Sequence, residues 1–368
     1  MSTNSMAVRK NKKSTSPNFF IKLAYEQAKI NLGSTGTNPS VGCILEKNGT
    51  VLSSGHTSLM GRPHAEFNTL KRISNYNNSN LYLTLEPCSH YGKTPPCIKL
   101  IKKNKINRVF ISCNDFDERS YKLAKKNLQK KKIIVAENFL STYGKSFYLS
   151  YALSKQNTLP LIDAKIAVSK DFYTINKKKE WISNFYSRQR AHLIRSFYDC
   201  IISTSKSINE DSSILDCRIN GLENKSPDVF VIDRYFKLKK RTSLLKNVNR
   251  KIYILTTIKN VSKKRYFEKR GFKIIIFKKM NNFNDYRKIF MSIKNKGYSR
   301  LLVESGLELL NFLISNKLIN YLYFFQSNIK LNKSGKNYAT PNIVKKLKLK
   351  GKINVNLFGN NLYKINLK

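Results

Sequence analysis

Glycine and proline are scarce, with 15 and 9 residues in a chain of 368. That excludes collagen-like and low-complexity classes, which need both in quantity. Long apolar runs are missing. The longest, Tyr321–Phe325, falls far short of the ~20 residues that a membrane-spanning helix requires. Acidic residues are few: 22 Asp and Glu stand against 69 Lys and Arg, a net charge of +47. Cysteine is confined to positions 43, 88, 97, 113, 200 and 217, too thin a scatter for a disulfide scaffold. The first seventeen residues, MSTNSMAVRKNKKSTSP, carry neither an acid nor an apolar signal segment. They predict a disordered basic tail over 1–17. A reducing, cytoplasmic setting follows, in which cysteine serves metal binding or catalysis.

Apolar residues make up 41% of the chain, with 21 Phe and 20 Tyr, enough to build real cores. At roughly 150 residues per domain, two domains are expected. A charge of +47 can signal a polyanionic partner. Here the basic residues are spread along the whole chain, with short Lys clusters at 130–132 and 177–179. They are accompanied by many Asn, Ile, Phe and Tyr, the mixture that an A- and T-rich genome imposes on any fold. Neither a nucleic-acid nor a membrane partner is expected on this reading, although the charge can help a phosphorylated substrate approach.

Periodicity predicts a helix over 18–32, a loop over 33–39, and strands at 41–46 and 51–54 joined at Asn48-Gly49. A helix opens at Pro63-His64-Ala65-Glu66, with Pro63 in its first turn. Strands at 81–85, 108–113 and 133–136 alternate with helices at 98–103, 119–130 and 139–153. The polar stretch Ser154–Pro160 predicts a boundary, giving domains at 18–154 and 155–368. Beyond it, strands are expected at 161–169, 200–203, 229–233, 252–256, 274–277, 301–303 and 321–325. Helices are expected at 183–196, 285–296 and 307–316, and a closing hairpin at 353–357 and 362–367. Alternating strands and helices imply an α/β fold in both halves.

The strongest chemical signal is His64-Ala65-Glu66, followed by Pro87-Cys88 and, nine residues later, Cys97. One His and two Cys match a catalytic zinc site, which keeps three protein ligands and one open position. Zinc there makes water a nucleophile near neutral pH. Glu66, two residues beyond His64, is placed to carry protons without binding the metal, the arrangement of a zinc-dependent base deaminase. Cys43 reads as core.

The run Thr84-Leu-Glu-Pro-Cys-Ser-His-Tyr-Gly-Lys-Thr-Pro-Pro-Cys97 resembles the zinc loop of the bifunctional riboflavin biosynthesis deaminase/reductase family. Asn38-Pro-Ser-Val-Gly-Cys43 and Gly61-Arg-Pro-His-Ala-Glu66 are similar to other motifs of that family. Cytidine and tRNA adenosine deaminases usually have only two residues between the cysteines. The resemblance implies a cytidine-deaminase-like three-layer α/β/α domain followed by a dihydrofolate-reductase-like α/β domain. It also implies a diaminopyrimidinone ribosyl phosphate as substrate, with Asn38 contacting the base and His90 and Lys93 near it.

In the second half, Lys165–Asp171, Trp181-Ile182-Ser183, Ser207–Asp211 with Leu215 and Arg218, and Val303-Glu304-Ser305-Gly306 resemble the reductase domain. No GxGxxG is present, so a Rossmann site is not expected. The resemblance implies NADPH contacts at Ala167, Trp181, Ser207, Asp211 and Gly306, and substrate contacts at Arg195, Leu215, Arg218 and Glu304. The implied reaction is hydride transfer to the ribose C1′, opening the sugar to a ribityl chain. A homo-oligomer is expected. The chain departs from the family at Asn114–Ala124, which has no glycine, at Asp171-Phe172 and at Lys177–Glu180. These departures leave open a deaminase with a degenerate second domain. A zinc deaminase acting on a nucleic-acid base is the other alternative.

Overall fold

The computed structural model describes residues 16–71, 73, 75–156, 158–246, 249–339 and 343–368. Apart from its last two residues, the predicted tail lies outside the described residues. The chain divides into two compact units. The first comprises the segment through Ile30, Ser40–Ser58 and Arg62–Tyr148; the second comprises Asn31–Pro39, Leu59–Gly61 and Leu149–Lys368. The division falls at Tyr148–Leu149, and two short pieces of the N-terminal half, one carrying Asn38, group with the second unit.

The first unit runs α1 (Pro17–Ile30), β1 (Gly42–Lys47), β2 (Thr50–His56), α2 (Ala65–Leu70), β3 (Asn80–Leu85), α3 (Cys97–Lys103), β4 (Arg108–Cys113), α4 (Leu123–Gln129), β5 (Ile134–Ala136) and α5 (Ser141–Phe147). Its sheet has the order β2-β1-β3-β4-β5. β1 is antiparallel to both neighbours, whereas β3, β4 and β5 are parallel. Asn48 and Gly49 close the β1–β2 hairpin with φ of 53° and 84°, the left-handed pair that a two-residue turn matching strand twist requires.

Two glycines show how the layers stack. A methyl built on Gly42 would lie 1.7 Å from the Ala24 carbonyl oxygen, so α1 presses directly on β1 there. A methyl on Gly55 would instead meet Thr69 and Ala65 of α2. Gly55 pairs with Cys43, the residue after Gly42. Successive strand residues face opposite sides, so α1 and α2 cover opposite faces of one sheet.

Two predicted helices are corrected. The helix expected over 139–153 breaks at Tyr148 (φ −90°, ψ 10°) into α5 and α6 (Leu149–Lys155). The buried Tyr148 hydroxyl is tied to Thr84 Oγ1 at 2.6 Å and the Ser40 carbonyl at 3.2 Å, which fixes that residue against the sheet. The helix expected from 119 starts only at Leu123, because the Glu86 carboxylate takes the N–H groups of Asp115, Lys122 and Ala124 at 2.9–3.0 Å.

The second unit continues through β6 (Leu161–Val168), β7 (Ile175–Asn176), α7 (Phe185–Arg195), β8 (Cys200–Thr204), α8 (Ser205–Asp211), β9 (Asp228–Ile232), β10 (Ile252–Thr256), α9 (Val261–Glu268), β11 (Phe272–Ile276), α10 (Phe283–Asn295), β12 (Arg300–Val303), α11 (Leu307–Ser315), β13 (Tyr321–Gln326), β14 (Gly335–Lys336) and β15 (Asn361–Asn366). Its main sheet has the order β11-β10-β9-β8-β12-β6-β13-β15 and is parallel except for β15. β7 and β14 form a small ladder of their own. Leu301 and Val303 join one apolar cluster and Leu302 the other, so helices and loops bury both faces of this sheet. That is why its strands read as continuous apolar runs.

Helices α8 and α9 escape the sequence reading. The closing hairpin is half formed: β15 pairs with β13, while 352–357 contributes only the bridges Lys352↔Tyr363 and Leu357↔Asn360. Phe172 adopts a left-handed φ of 66°. Asp171 holds this bend by accepting from Ser169 Oγ and from the N–H groups of Leu331 and Asn332, and its carboxyl is drawn down to about 2 by these bonds despite burial.

Gly42→Ala should destabilise the first unit by about 3 kcal/mol or more, because the backbone carbonyl of Ala24 cannot yield without displacing α1. Urea unfolding followed by zinc content and far-UV signal tests this; an unchanged midpoint would contradict the close contact.

Candidate active sites

In the first unit, three ligand side chains converge from three chain segments. His64 is the N-cap of α2, with extended backbone (φ −70°, ψ 160°). The helix therefore begins at Ala65, and Pro63 precedes the cap instead of occupying the first turn as predicted. Cys88 follows β3, and Cys97 opens α3. His64 Nδ1 lies 3.3 Å from Cys97 Sγ and 3.7 Å from Cys88 Sγ, and all three ligand atoms fall within 4.8 Å of one another. Tetrahedral zinc with bonds of about 2.0–2.3 Å would set its ligands roughly 3.5–3.8 Å apart, so the donor set fits zinc in both chemistry and spacing.

The Cys97 N–H donates to Cys88 Sγ at 3.2 Å. Hydrogen bonding from Cys97 and His64 outweighs burial and lowers the Cys88 thiol to about 4, so it stands as a thiolate. Glu66 is buried in the first turn of α2. Burial, with the Cys88 charge beside it, raises its carboxyl above the ordinary range. A carboxyl so raised holds a proton more readily than an exposed one, as a group that accepts and returns protons must.

The surrounding loop is tied down by residues the sequence reading did not single out. Glu86 clamps 115–124 as described above. Ser120 Oγ then accepts the Ser89 N–H at 3.0 Å and lies 2.9 Å from His90 Nδ1. His90 thus orders the loop, and Lys93 is exposed near its tip. Arg62 bonds Thr94 Oγ1 across the loop. Cys43 is fully buried and outside the ligand group. Asn38, in the second unit, donates to the Gly61 carbonyl at 3.1 Å. Gly61 has φ of 86°, and any side chain there would strike Asn38.

In the second unit, four of the residues expected at the reductase site, Ala167, Ser207, Glu304 and Gly306, lie at or just past the C-terminal ends of β6, β8 and β12. That is where open parallel sheets bind ligands. Ser207 Oγ accepts from Thr204 Oγ1 at 3.0 Å and from the Gly306 N–H at 3.1 Å. With both bonds accepted, its hydroxyl keeps its own proton free to donate. Gly306 is exposed at the N-terminus of α11, and a side chain there would meet only Ser207 Oγ, at 3.7 Å. A hydroxyl proton and an open helix start suit the phosphates of a dinucleotide such as NADPH. Ala167 is half-buried on β6, Asp211 is exposed at the end of α8, and Trp181 is 72% exposed beneath Arg188, 5.0 Å from its ring centre.

Arg195 is no solvated helix-face charge. Its Nε and Nη2 form a fork onto Glu304 at 2.6 and 3.0 Å, and Nη1 reaches the Asp216 carbonyl at 3.0 Å. Lys165 Nζ adds a third cationic contact, 3.3 Å from Glu304. Lys165 was not singled out in the sequence; its signal was a lysine, along with Asp163, in an otherwise apolar strand. Leu215 is buried in the core with φ of 60°, whereas Arg218 is 59% exposed and pairs with Asp216 Oδ1 at 3.2 Å.

Fold and sites together define a zinc-dependent base deaminase unit joined to an α/β reductase unit. Comparison with known proteins specifies the family. Residues 160–352 match the RibD C-terminal domain, and residues 14–113 match the cytidine and deoxycytidylate deaminase zinc-binding region. Riboflavin biosynthesis protein RibD of Chlamydia muridarum is 27% identical over 311 residues, covering 81% of this chain and 83% of that protein. RibD of Buchnera aphidicola subsp. Baizongia pistaciae is 34% identical over 203 residues, 54% of this chain and 55% of the relative. The crystal structure of a deaminase/reductase from Thermotoga maritima superposes with a TM-score of 0.80 at 21% identity, covering 95% of this chain and 98% of that one. Acinetobacter baumannii RibD gives 0.79 at 20% identity over the same shares. These two structures establish the fold. The chain belongs to the RibD family of bifunctional riboflavin biosynthesis enzymes, which join a zinc-dependent deaminase to an NADPH-dependent reductase.

Burial alone would raise the Glu304 carboxyl, but Arg195 and Lys165 bring it from 4.5 to about 2. Its contribution to stability is therefore complete above pH 4.5 and is lost as pH falls toward 2. Urea midpoints for Glu304→Gln should lie below wild type at pH 6, with the deficit narrowing by pH 3; a deficit independent of pH would contradict this linkage.

Proposed function

We propose that the chain catalyses consecutive steps of riboflavin biosynthesis. The first is hydrolytic deamination of 2,5-diamino-6-ribosylamino-pyrimidinone 5′-phosphate, in a domain spanning 18–154. The second is NADPH reduction of the ribosyl group of 5-amino-6-(5-phosphoribosylamino)uracil, in a domain spanning 155–368. The convergence of His64, Cys88 and Cys97 beside a buried Glu66 carries this reading.

Zinc held by His64, Cys88 and Cys97 supplies the Lewis acidity that makes water nucleophilic near neutral pH. Glu66 takes one proton from the attacking water and passes it to the ring nitrogen, then carries the second, from the new hydroxyl, to the amine, so the C–N bond breaks with loss of ammonia and a ring carbonyl remains. Asn38 contacts the base. In the reductase, NADPH supplies the hydride. Ser207 and Gly306 receive its phosphates, while Ala167, Trp181 and Asp211 complete its cradle. Glu304, set by Arg195, addresses the opened ribose, and Arg218, the exposed arginine, takes the substrate phosphate in bidentate fashion. Leu215 is a further substrate contact.

The Ser207–Gly306 bond and the Glu304–Arg195 pair support this reading of the second unit. Among the described residues no helix is long and apolar enough to cross a membrane, and all six cysteines are free. A reducing cytoplasm suits such thiols. A homo-oligomer is the expected assembly, readable by light scattering.

Ammonia release and NADPH oxidation, followed separately on zinc-loaded protein, test the two steps. Both should proceed. Ammonia without oxidation would mean that the second unit is degenerate. Glu66→Gln should lower ammonia release at least about 10³-fold with zinc content unchanged; retained turnover would refute the proton role.

A further inference from the structure

The segment 212–218 connects α8 to the residues before β9 and carries both Leu215 and Arg218. It has no regular structure, and its path needs left-handed backbone at Ser212 (φ 48°) and Leu215 (φ 60°). Neither residue is glycine, so that path costs energy and persists only where the surroundings impose it. Three consecutive carbonyls of this segment are taken by side chains from elsewhere in the chain. Arg250, leading into β10, donates from Nη1 to the Leu215 carbonyl at 2.6 Å and from Nη2 to the Ile214 carbonyl. His192 Nδ1 lies 2.8 Å from the Asp216 carbonyl, which also accepts from Arg195 Nη1 at 3.0 Å. Two residues later comes Arg218, with its backbone N–H 3.3 Å from His192 Nδ1 and its side chain mostly exposed.

We propose that Arg250 is a positioning residue of the reductase: its guanidinium fixes the Ile214–Leu215 backbone and thereby sets Arg218 against the substrate phosphate. The inference rests on the reading of Arg218 as the phosphate ligand. The physical reason is the fork. Two N–H groups in one plane match two successive carbonyls, whereas a lysine offers one point charge on a flexible stem. With those carbonyls released, the left-handed residues can relax. Arg218 would then have to be ordered by the substrate, and that cost falls on substrate binding. Arg195 cannot substitute, because its three remaining contacts hold Glu304 and the Asp216 carbonyl.

The test uses the full-length, zinc-loaded enzyme and the variants Arg250→Met, Arg250→Lys, Arg218→Ala and the double variant Arg250→Met/Arg218→Ala. Steady-state reduction of 5-amino-6-(5-phosphoribosylamino)uracil gives KM for that substrate, KM for NADPH and kcat. Far-UV signal and the NADPH KM report that the second unit of each variant is folded. Arg250→Met should raise the substrate KM about tenfold, with kcat and the NADPH KM within about twofold. Arg250→Lys should fall between it and wild type. The double variant should be no worse than Arg218→Ala alone, because both changes act on one interaction. An unchanged substrate KM in Arg250→Met, or in Arg250→Lys should the methionine variant not fold, overturns the proposal. So do effects of Arg250→Met and Arg218→Ala that multiply in full. If Arg218→Ala itself leaves the substrate KM unchanged, the assignment of Arg218 fails, and the role of Arg250 fails with it.

Discussion

A buried carboxylate gathering several donors is the interaction on which both units depend. Glu86 collects three backbone N–H groups and so holds 115–124 against the zinc loop. Asp233 accepts from the N–H groups of Lys237 and Leu238 and from Ser205 Oγ, which ties the start of α8 to the end of β9. Asp199 accepts from the N–H groups of Ser299 and Arg300 at the start of β12. Asp171 turns the chain after β6, and Glu304 aligns Arg195 and Lys165. Acids are outnumbered three to one in this chain, 22 against 69. Several of those few serve as internal acceptors, where a low local dielectric strengthens each bond and makes an unpaired one costly.

Each active site exploits the same part of an α/β layer. The zinc ligands stand where α2 and α3 begin and just past the end of β3, so the metal site needs no element of its own. Four of the reductase residues stand where β6, β8 and β12 end. Rigid strands set the positions, and irregular segments bring the side chains. Phe172 holds a left-handed backbone beside the anchored Asp171, with its ring 6.1 Å from that of Phe324.

The zinc site was legible in the sequence because its chemistry restricts residue types at short separations. His64, Glu66, Cys88 and Cys97 lie within 34 residues, and few other purposes account for them together. The strands of the second unit were legible for a related reason: a sheet buried on both faces leaves apolar runs of strand length. Helices α8 and α9 were not, since SKSINED and VSKKRYFE are short and polar and hold their shape through caps, Thr204 and Asn260, and through packing.

By itself the sequence determined the metal, the α/β class and the family. These depend on residue identity and local period, both of which a linear string carries. Tertiary structure alone decided what Arg195 and Arg250 do. Arg195 meets Glu304 109 residues away, and Arg250 meets Leu215 at a separation of 35. An arginine bound for solvent and one bound for a buried partner look alike along the chain. Only folding brings the acceptor within reach, and at that distance the guanidinium becomes part of the scaffold.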